Sequence, residues 1–293
     1  MIKGFLIILL SIFVSSIGMA QESDSAKKEE ARLYTLAHTD VFRKRKGKIF
    51  ASWGYNRSSY SKSDIRFWGD GYDFTIKKAT AKDRQTKFEP KVYFNPSLLT
   101  IPQYNLRVGY FLTDHLSLSI SVDHMKYVLD NSQSAKVDGS ISSSASTVWA
   151  DDYNNELMPI SGDFVKYEHT DGLNIIYLEL DYNELLYETA NRKFAIDIVG
   201  GLGIGGAIPK TNAILFDTFG TDEFHLAGGS LNANVGLKLF FYKKLFLHPA
   251  VKVGYVSLPD VVTNTAGNDK ASQNFSYFQA NMTLGYQFRL THK

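Results

Sequence analysis

Three glycines have the spacing of a nucleotide-binding loop. Gly201, Gly203 and Gly206 match the G-x-G-x-x-G fingerprint, which binds a pyrophosphate only where a strand turns tightly into the N-terminus of a helix. Here the glycines alternate with apolar residues, which is typical of an uninterrupted strand. We therefore expect no cofactor at this motif. Small inward residues there would instead leave room for a bulky neighbour such as Tyr177.

The histidines raise the question of catalysis. The chain has seven His and no Cys, which excludes thiol catalysis and thiolate metal sites. No His spacing suggests a metal site, and no nucleophile motif accompanies the candidates. Those candidates are a rim pair and two loop groups: Asp123 with His124, His169 with Asp171, and His225 with Asp222 and Glu223. We expect no catalytic residues and no metal, and an enzyme remains the alternative.

Charged residues of both signs recur at the polar positions of alternating segments. Burying a charge without a partner costs several kcal/mol, so near-equal numbers of the two signs predict a mutually paired network. The predicted lumen charge network consists of Arg107, Asp123, Glu179, Asp181, Asp197, Lys238, Lys252 and Arg289.

These side chains must be positioned by strands. Apolar and polar residues alternate with period two in eight segments, for example from Val235 to Phe241 and from Phe278 to Leu290. Many of these segments approach the ~9–11 residues of a tilted membrane strand. Their apolar face is almost purely aliphatic and aromatic, as lipid contact requires. The sequence predicts an all-β fold, an antiparallel up-and-down transmembrane β-barrel of about eight strands with long extracellular loops.

Short and long connections alternate between the strands. Short ones follow Leu112, Glu188 and Tyr242, and long ones fill 58–101, 129–171, 207–226 and 258–273. This alternation is typical of outer-membrane barrels, which have short periplasmic turns and long external loops. A hairpin at 65–76, centred on Gly69-Asp70-Gly71, either projects from the first loop or makes ten strands, and we favour eight.

Composition narrows the functional classes. The 293 residues carry a net charge of +2, with 44% hydrophobic and 21% charged residues. That balance argues against a nucleic-acid binder, which usually shows a basic stripe. The mean hydropathy of −0.17 argues against a polytopic helical membrane protein.

The N-terminus predicts export. Residues 1–20 contain Lys3, an apolar run and small residues before Ala20, which is the layout of a signal peptide cleaved near Ala20. Residues 21–46 are polar and predict a periplasmic tether or short helix, and the barrel occupies 47–290. The basic run Arg43, Lys44, Arg45, Lys46 and Lys48 is placed either against phospholipid head groups or in a solvated linker.

The C-terminus carries a resemblance. Thr283, Gly285, Phe288 and Leu290 fit the signal read by the barrel assembly machinery, although 291–293 follow it. The chain resembles small bacterial outer-membrane β-barrels of the OmpA and OmpX type. The resemblance implies a Gram-negative outer-membrane location, assembly by that machinery, and contact with outer-membrane lipid and lipopolysaccharide.

Function is less constrained than location. We expect a closed polar lumen and a structural or surface-interaction role through lipopolysaccharide or an envelope protein. The alternatives are a lipid A hydrolase, a surface protease, a narrow porin-like channel for small solutes and a soluble β-sandwich.

The long loops differ in charge. Residues 58–101 hold eight Lys and Arg against five Asp and Glu, and 129–171 hold two against eight. The basic residues that are candidates for binding lipopolysaccharide phosphates are Lys77, Lys78, Lys82, Arg84 and Lys87. Alternatively, the basic and acidic loops pair with each other and cap the barrel.

Overall fold

The computed structural model describes residues 42–289, except for residues 96, 99, 100 and 221–223. The expected signal peptide, its cleavage site near Ala20, most of the tether 21–46 and Leu290 therefore lie outside the described residues. All elements below belong to the unit Lys44–Lys293. In the described part of the chain, no helix is long and apolar enough to cross a membrane.

Fifteen strands and one short helix follow in chain order. They are β1 (Lys48–Tyr60), β2 (Ser63–Gly69), β3 (Tyr72–Ala79), β4 (Ala81–Asp83), α1 (Pro90–Tyr93), β5 (Tyr104–Phe111), β6 (Leu116–Leu129), β7 (Ser134–Ile141), β8 (Asp151–Pro159), β9 (Val165–Glu188), β10 (Phe194–Pro209), β11 (Asn212–Leu215), β12 (Thr218–Phe219), β13 (Gly228–Phe241), β14 (Leu245–Val262) and β15 (Lys270–Arg289).

Eight of these strands form a closed antiparallel ring in the order β1-β5-β6-β9-β10-β13-β14-β15. The ring closes because β1 pairs with β5 on one side and with β15 on the other, from Lys48↔Arg289 to Tyr60↔Tyr277. The predicted eight-stranded up-and-down barrel is confirmed. The glycine motif lies inside β10, with neighbouring strands paired on both sides of it.

The hairpin β2–β3 is outside the ring. It pairs with the far end of β15 and continues into β7 and β8, giving a sheet in the order β15-β2-β3-β7-β8. The first and second long connections are therefore folded into one β-sheet. The prediction that this hairpin projects from the first long loop is confirmed.

The barrel wall alternates strictly between its two faces. On β5, Leu106, Val108 and Tyr110 point outward and are 41%, 50% and 47% exposed, whereas Asn105 and Arg107 are buried. The other ring strands also carry exposed apolar side chains on their outer face. Such a continuous apolar surface around a closed barrel is what contact with lipid requires.

The two ends of the barrel differ. Connections of four to five residues join β5 to β6, β9 to β10 and β13 to β14 at one end, which we call the turn end. The longer connections and the extra sheet lie at the opposite end, which we call the loop end. The predicted alternation of short and long connections is therefore observed.

The interior has two levels. Near the turn end it contains the charged and amide side chains described below. Towards the loop end it is apolar, because the inner faces of the lengthened strands pack against the hairpin β2–β3 and the connection before β9. We call this second level the loop-end core; it includes Ile65, Phe67, Phe74, Ile76, Tyr127, Val137, Phe164, Tyr167 and Phe275, all at most 1% exposed.

Candidate functional site: the filled barrel interior

The centre of the lumen is an arginine held by two carboxylates. Arg107 Nη2 lies 2.6 Å from Glu179 Oε2 and 2.9 Å from Asp181 Oδ2. Arg107 Nε donates to Ser119 Oγ at 2.9 Å, and Ser121 Oγ donates to Glu179 Oε2 at 2.7 Å. Alternation on β5, β6 and β9 places all five residues inward, and charge-assisted hydrogen bonds of this kind fix their geometry.

A lysine joins the same cluster from the opposite wall. Lys252 Nζ on β14 lies 2.5 Å from Asp123 Oδ2 and 2.9 Å from Glu179 Oε1. Asn105 Nδ2 donates to the other oxygen of Asp123 at 2.6 Å. Glu179 therefore bridges Arg107 and Lys252, and strands on opposite sides of the barrel are connected through charge.

Lys238 has a different environment from the one predicted. Its Nζ donates to Asn183 Oδ1 at 2.8 Å and lies 4.6 Å from the centre of the Phe50 ring. The rings of Phe111 and Phe246 lie 5.5 and 5.6 Å away. Lys238 is thus held by an amide and three aromatic rings, a cation–π arrangement that gains strength when water is excluded.

Asp197 is paired by a residue that sequence reasoning did not assign to the lumen. Arg45 Nη2 lies 2.6 Å from Asp197 Oδ2, and its Nη1 donates to the carbonyls of Asp114 and Asn183 at 3.0 and 3.2 Å. Arg45 is 1% exposed. The prediction that the basic run lies against head groups or in solvent is therefore wrong for Arg45, and Lys48 is also buried.

Arg289, in contrast, does not join the network. It is the last residue of β15, is exposed, and donates to the carbonyl of Lys46 at 2.8 Å. Alternation gave the correct side of the strand, but Arg289 lies too close to the barrel mouth to reach the buried carboxylates. With Arg45 in its place, the lumen still holds four basic and four acidic side chains.

The turn between β5 and β6 closes this mouth. The carboxylate of Asp114 accepts hydrogen bonds from the backbone N–H groups of Lys46 and Arg45, both at 2.8 Å. Those bonds, that of Lys46 first, hold the pKa of Asp114 below its ordinary value. The segment before β1 is therefore fixed across the turn end by one side chain inside the barrel and one outside it.

The network encloses a cavity of about 30 Å³ lined by Arg107, Glu179, Lys252 and His248. A polar space of this size accommodates about one water molecule. Among the described residues, Nε2 of His248 has no hydrogen-bond partner and is a natural ligand for such a water. No cluster of three or more His, Asp or Glu side chains in the described chain has the geometry to hold a metal ion.

Tyr177 separates the charged level from the loop-end core. Its hydroxyl bonds to Ser230 Oγ at 2.6 Å and to the Tyr277 hydroxyl at 2.8 Å, and its ring lies over Lys252 Nζ at 4.9 Å. A Cβ on Gly205 would lie 2.6 Å from Cδ1 of the Tyr177 ring. The glycines of β10 thus leave space for inward side chains, as the sequence predicts.

The histidine candidates do not form catalytic pairs. Asp123 points into the lumen, whereas His124 lies on the outer face, stacked on Tyr104 with ring centres 5.0 Å apart. His169 is fully buried and bonds to Thr211 Oγ1 at 2.9 Å, so it belongs to no surface site. His225 lies 3.3 Å from Asp260, and the expected partners Asp222 and Glu223, with the side chain of Asp171, lie outside the described residues.

The basic residues of the first long loop are divided between two environments. Lys77 pairs with Asp64 at 3.5 Å, Lys82 with Asp130 at 2.8 Å and Arg84 with Glu168 at 2.9 Å. Two of these pairs join the basic to the acidic loop, as the capping alternative requires. Lys78 is exposed, with its backbone N–H bonded to Asp64 at 2.8 Å, and Lys87 is exposed without an ion pair among the described residues.

The assembly-signal residues follow the same alternation. Thr283 and Gly285 face inward, and a Cβ on Gly285 would lie 2.2 Å from the Phe246 ring. Phe288 faces outward at the turn end, and Leu290 lies outside the described residues.

The closed ring of eight strands, its apolar outer face and its charged interior define a small transmembrane β-barrel of the outer-membrane type. In this respect the chain is similar to the OmpA and OmpX transmembrane domains, as the sequence predicts.

Similar solved structures are outer-membrane β-barrels. AlkL, determined by solid-state NMR in DMPC lipid bilayers, is 13% identical, with 85% of this chain and 94% of that chain covered and a TM-score of 0.41. OprG from Pseudomonas aeruginosa is 11% identical over 86% and 100% of the two chains, with a TM-score of 0.39. Ail, the attachment invasion locus protein of Yersinia pestis, is 13% identical over 83% and 99%, with a TM-score of 0.31. No protein-family model matches the chain, and no curated protein matches it at a significant level.

Proposed function

We propose that this protein is a non-conducting outer-membrane barrel that presents a β-sheet outside the cell for contact with another envelope protein. The observation that carries the proposal is the continuation of the barrel wall into the sheet β15-β2-β3-β7-β8. In outer-membrane barrels, short turns face the periplasm and long loops face outward, which places this sheet at the cell surface. Export by residues 1–20 and assembly through the C-terminal signal belong to the same proposal.

The last strand of that sheet is open to a partner. Among the described strands, β8 has β7 as its single neighbour, so its other edge is unpaired. Along β8 most side chains are exposed, and Leu157 is 67% exposed. An extended peptide that adds to such an edge gains main-chain hydrogen bonds, and its alternate side chains give selectivity.

Charge selects the kind of partner. Asp151, Asp152 and Glu156 are exposed on β8, and no basic residue lies on that strand. Two copies of β8 would repel one another, because like charges directly opposite each other destabilise a strand pair. The edge therefore fits an extended, basic segment of a different protein.

The test uses a heptapeptide of alternating Lys and Val as the probe. Titrated into the full chain in lipid nanodiscs, it is expected to shift the amide resonances of β8, and Asp152→Asn with Glu156→Gln is expected to weaken binding. Asp70→Asn, an exposed carboxylate at the tip of the β2–β3 hairpin, is the control for loss of charge. Binding that is equal in both variants, or absent, would contradict the role of β8.

The filled interior predicts that the protein does not conduct. Both levels of the barrel interior are occupied by buried side chains, so no continuous water path is expected through them. In planar bilayers the full chain should give no stepwise current. Reproducible conductance steps would favour the narrow-channel alternative instead.

A further inference from the structure

A row of aromatic rings leads from the barrel wall to the first long loop. Ring centres of Trp53 and Tyr55, both on β1, are 4.6 Å apart, and Tyr55 lies 4.7 Å from Tyr93 in α1. Tyr93 lies 5.0 Å from Phe88, which is 6.3 Å from Phe94. We call residues 86–95 the arm.

The arm is fixed at both ends to the outside of the barrel. The Tyr55 hydroxyl donates to the Tyr93 carbonyl at 2.5 Å. On the other side, Lys126 Nζ on β6 donates to the Ile101 carbonyl at 3.0 Å and to Thr86 Oγ1 at 3.3 Å. Since β5 lies between β1 and β6 in the ring, the arm is held against three wall strands.

These attachments lie where the lipid-facing surface ends. The outward positions of β1 run Ala51, Trp53, Tyr55 and then Arg57, which is exposed. On β6 the outward row changes from apolar Ile120 and Val122 to polar residues, the last of which holds the arm. Aromatic side chains followed by a cation mark the interface between hydrocarbon and head groups.

The arm presents the chemistry that this interface binds. Phe88 and Phe94 are 63% and 73% exposed, although both rings belong to the aromatic row. Lys87 and Lys91 are exposed beside them and have no ion pair among the described residues, while Glu89 is the one acidic residue between them. Exposed apolar rings next to cations are typical of segments that lie in a membrane interface.

We propose that the arm is a lipid-binding element, in which Phe88 and Phe94 enter the outer leaflet while Lys87 and Lys91 pair with the phosphates of lipid A. The inference rests on the outer-membrane placement proposed above and is independent of any partner on β8. It gives Lys87 a role that the ion-paired Lys82 and Arg84 do not share.

The absence of Cys allows one fluorescent label to be placed at a chosen residue. Phe94→Cys and Phe88→Cys report on the arm, Leu180→Cys on the lipid-facing wall and Val148→Cys on a loop residue that is 78% exposed. With an NBD label on the full chain in phosphatidylcholine vesicles, lipids carrying a quencher on the acyl chain should quench the arm and wall positions. Iodide in the water should quench only Val148→Cys strongly.

Three outcomes are distinguishable. If the Leu180→Cys label is not quenched by the lipid quencher, the membrane placement fails and the inference fails with it. If that label is quenched but both arm labels behave like Val148→Cys, the arm proposal alone is overturned. If the arm labels behave like the wall label, insertion of the phenylalanines is supported.

The phosphate contact has its own control. Adding lipid A to the vesicles should shift the emission of the Phe94→Cys label to shorter wavelength, and this shift should be lost in Lys87→Gln with Lys91→Gln. Neutralising Lys62 and Lys136, two exposed lysines outside the arm, should leave the shift unchanged. Equal loss in both double variants, or no effect of lipid A, would overturn the assignment of the lysines.

Discussion

Arg45 and Asp197 form an ion pair of 2.6 Å in which neither side chain is more than 1% exposed. Arg45 precedes β1, whereas Asp197 lies within β10, several strands away around the ring. The segment before the first strand therefore enters the mouth of the barrel and closes the turn end. Without Arg45, the carboxylate of Asp197 would be a buried charge without an ion-pair partner within 4 Å among the described residues.

Replacing Arg45 with Ala should therefore destabilise the barrel. Removing one partner of a buried pair typically costs about 3–5 kcal/mol in the free energy of unfolding, because the remaining charge is uncompensated. Urea unfolding of the full chain in lipid vesicles measures this loss. Arg289→Ala is the matched control, since that guanidinium is exposed at the same end, and the expected change is below ~0.5 kcal/mol. Equal stability of the two variants would contradict a buried role for Arg45.

The fold was predictable because alternation reports directly on which side of a wall a side chain lies. It gave the eight strands, the short turns and the inward positions of Arg107, Glu179 and Lys252. It could not identify Arg45, which precedes the first strand and so has no alternating neighbours. It also misjudged Arg289, because alternation defines the face of a strand but not the depth of a residue in the barrel.

The loop-end core was missed for a related physical reason. The strands continue past the bilayer, and their inner faces become apolar, as at Tyr127 and Tyr167, without any break in period. The alternating apolar positions of Phe67 and Phe74 in the hairpin were visible in the sequence. Which sheet they would pack against depends on pairing between distant strands, and no local pattern specifies it.

Lys252 should show strong coupling to the carboxylates that it bridges. Lys252→Met leaves Asp123 and Glu179 without this cation, and we expect a loss of about 3–5 kcal/mol. Adding Asp123→Asn to that variant should cost less than it does in the parent chain, because the lone charge is removed. A double-mutant cycle in urea measures the coupling, and strictly additive losses would show that the pair is energetically unimportant.

Two glycines of β10 make a matched pair. A Cβ at Gly205 would lie 2.6 Å from both the Ile176 carbonyl oxygen and the Tyr177 ring, whereas one at Gly200 meets only the Asn234 carbonyl oxygen at 3.7 Å. Gly205→Ala should therefore cost about 1–3 kcal/mol by overpacking, and Gly200→Ala should be nearly neutral. The midpoint of the heat-dependent shift in gel mobility compares them. Equal midpoints would show that the wall yields at Gly205 without cost.

The contact between the two long loops should depend on pH through Asp130. A hydrogen bond from Lys82, followed by bonds from Ser132, lowers the pKa of Asp130 to about 2. A carboxyl whose pKa is lower in the folded state contributes stability above its unfolded pKa of about 4, and that contribution is lost as the pH falls towards about 2. A carbon-13 titration of the carboxyl should therefore show a midpoint near the lower value. Lys82→Met should move the midpoint upward, whereas Lys136→Met, outside this pair, should not. An unshifted midpoint in the parent chain would show that Lys82 does not hold the two loops together.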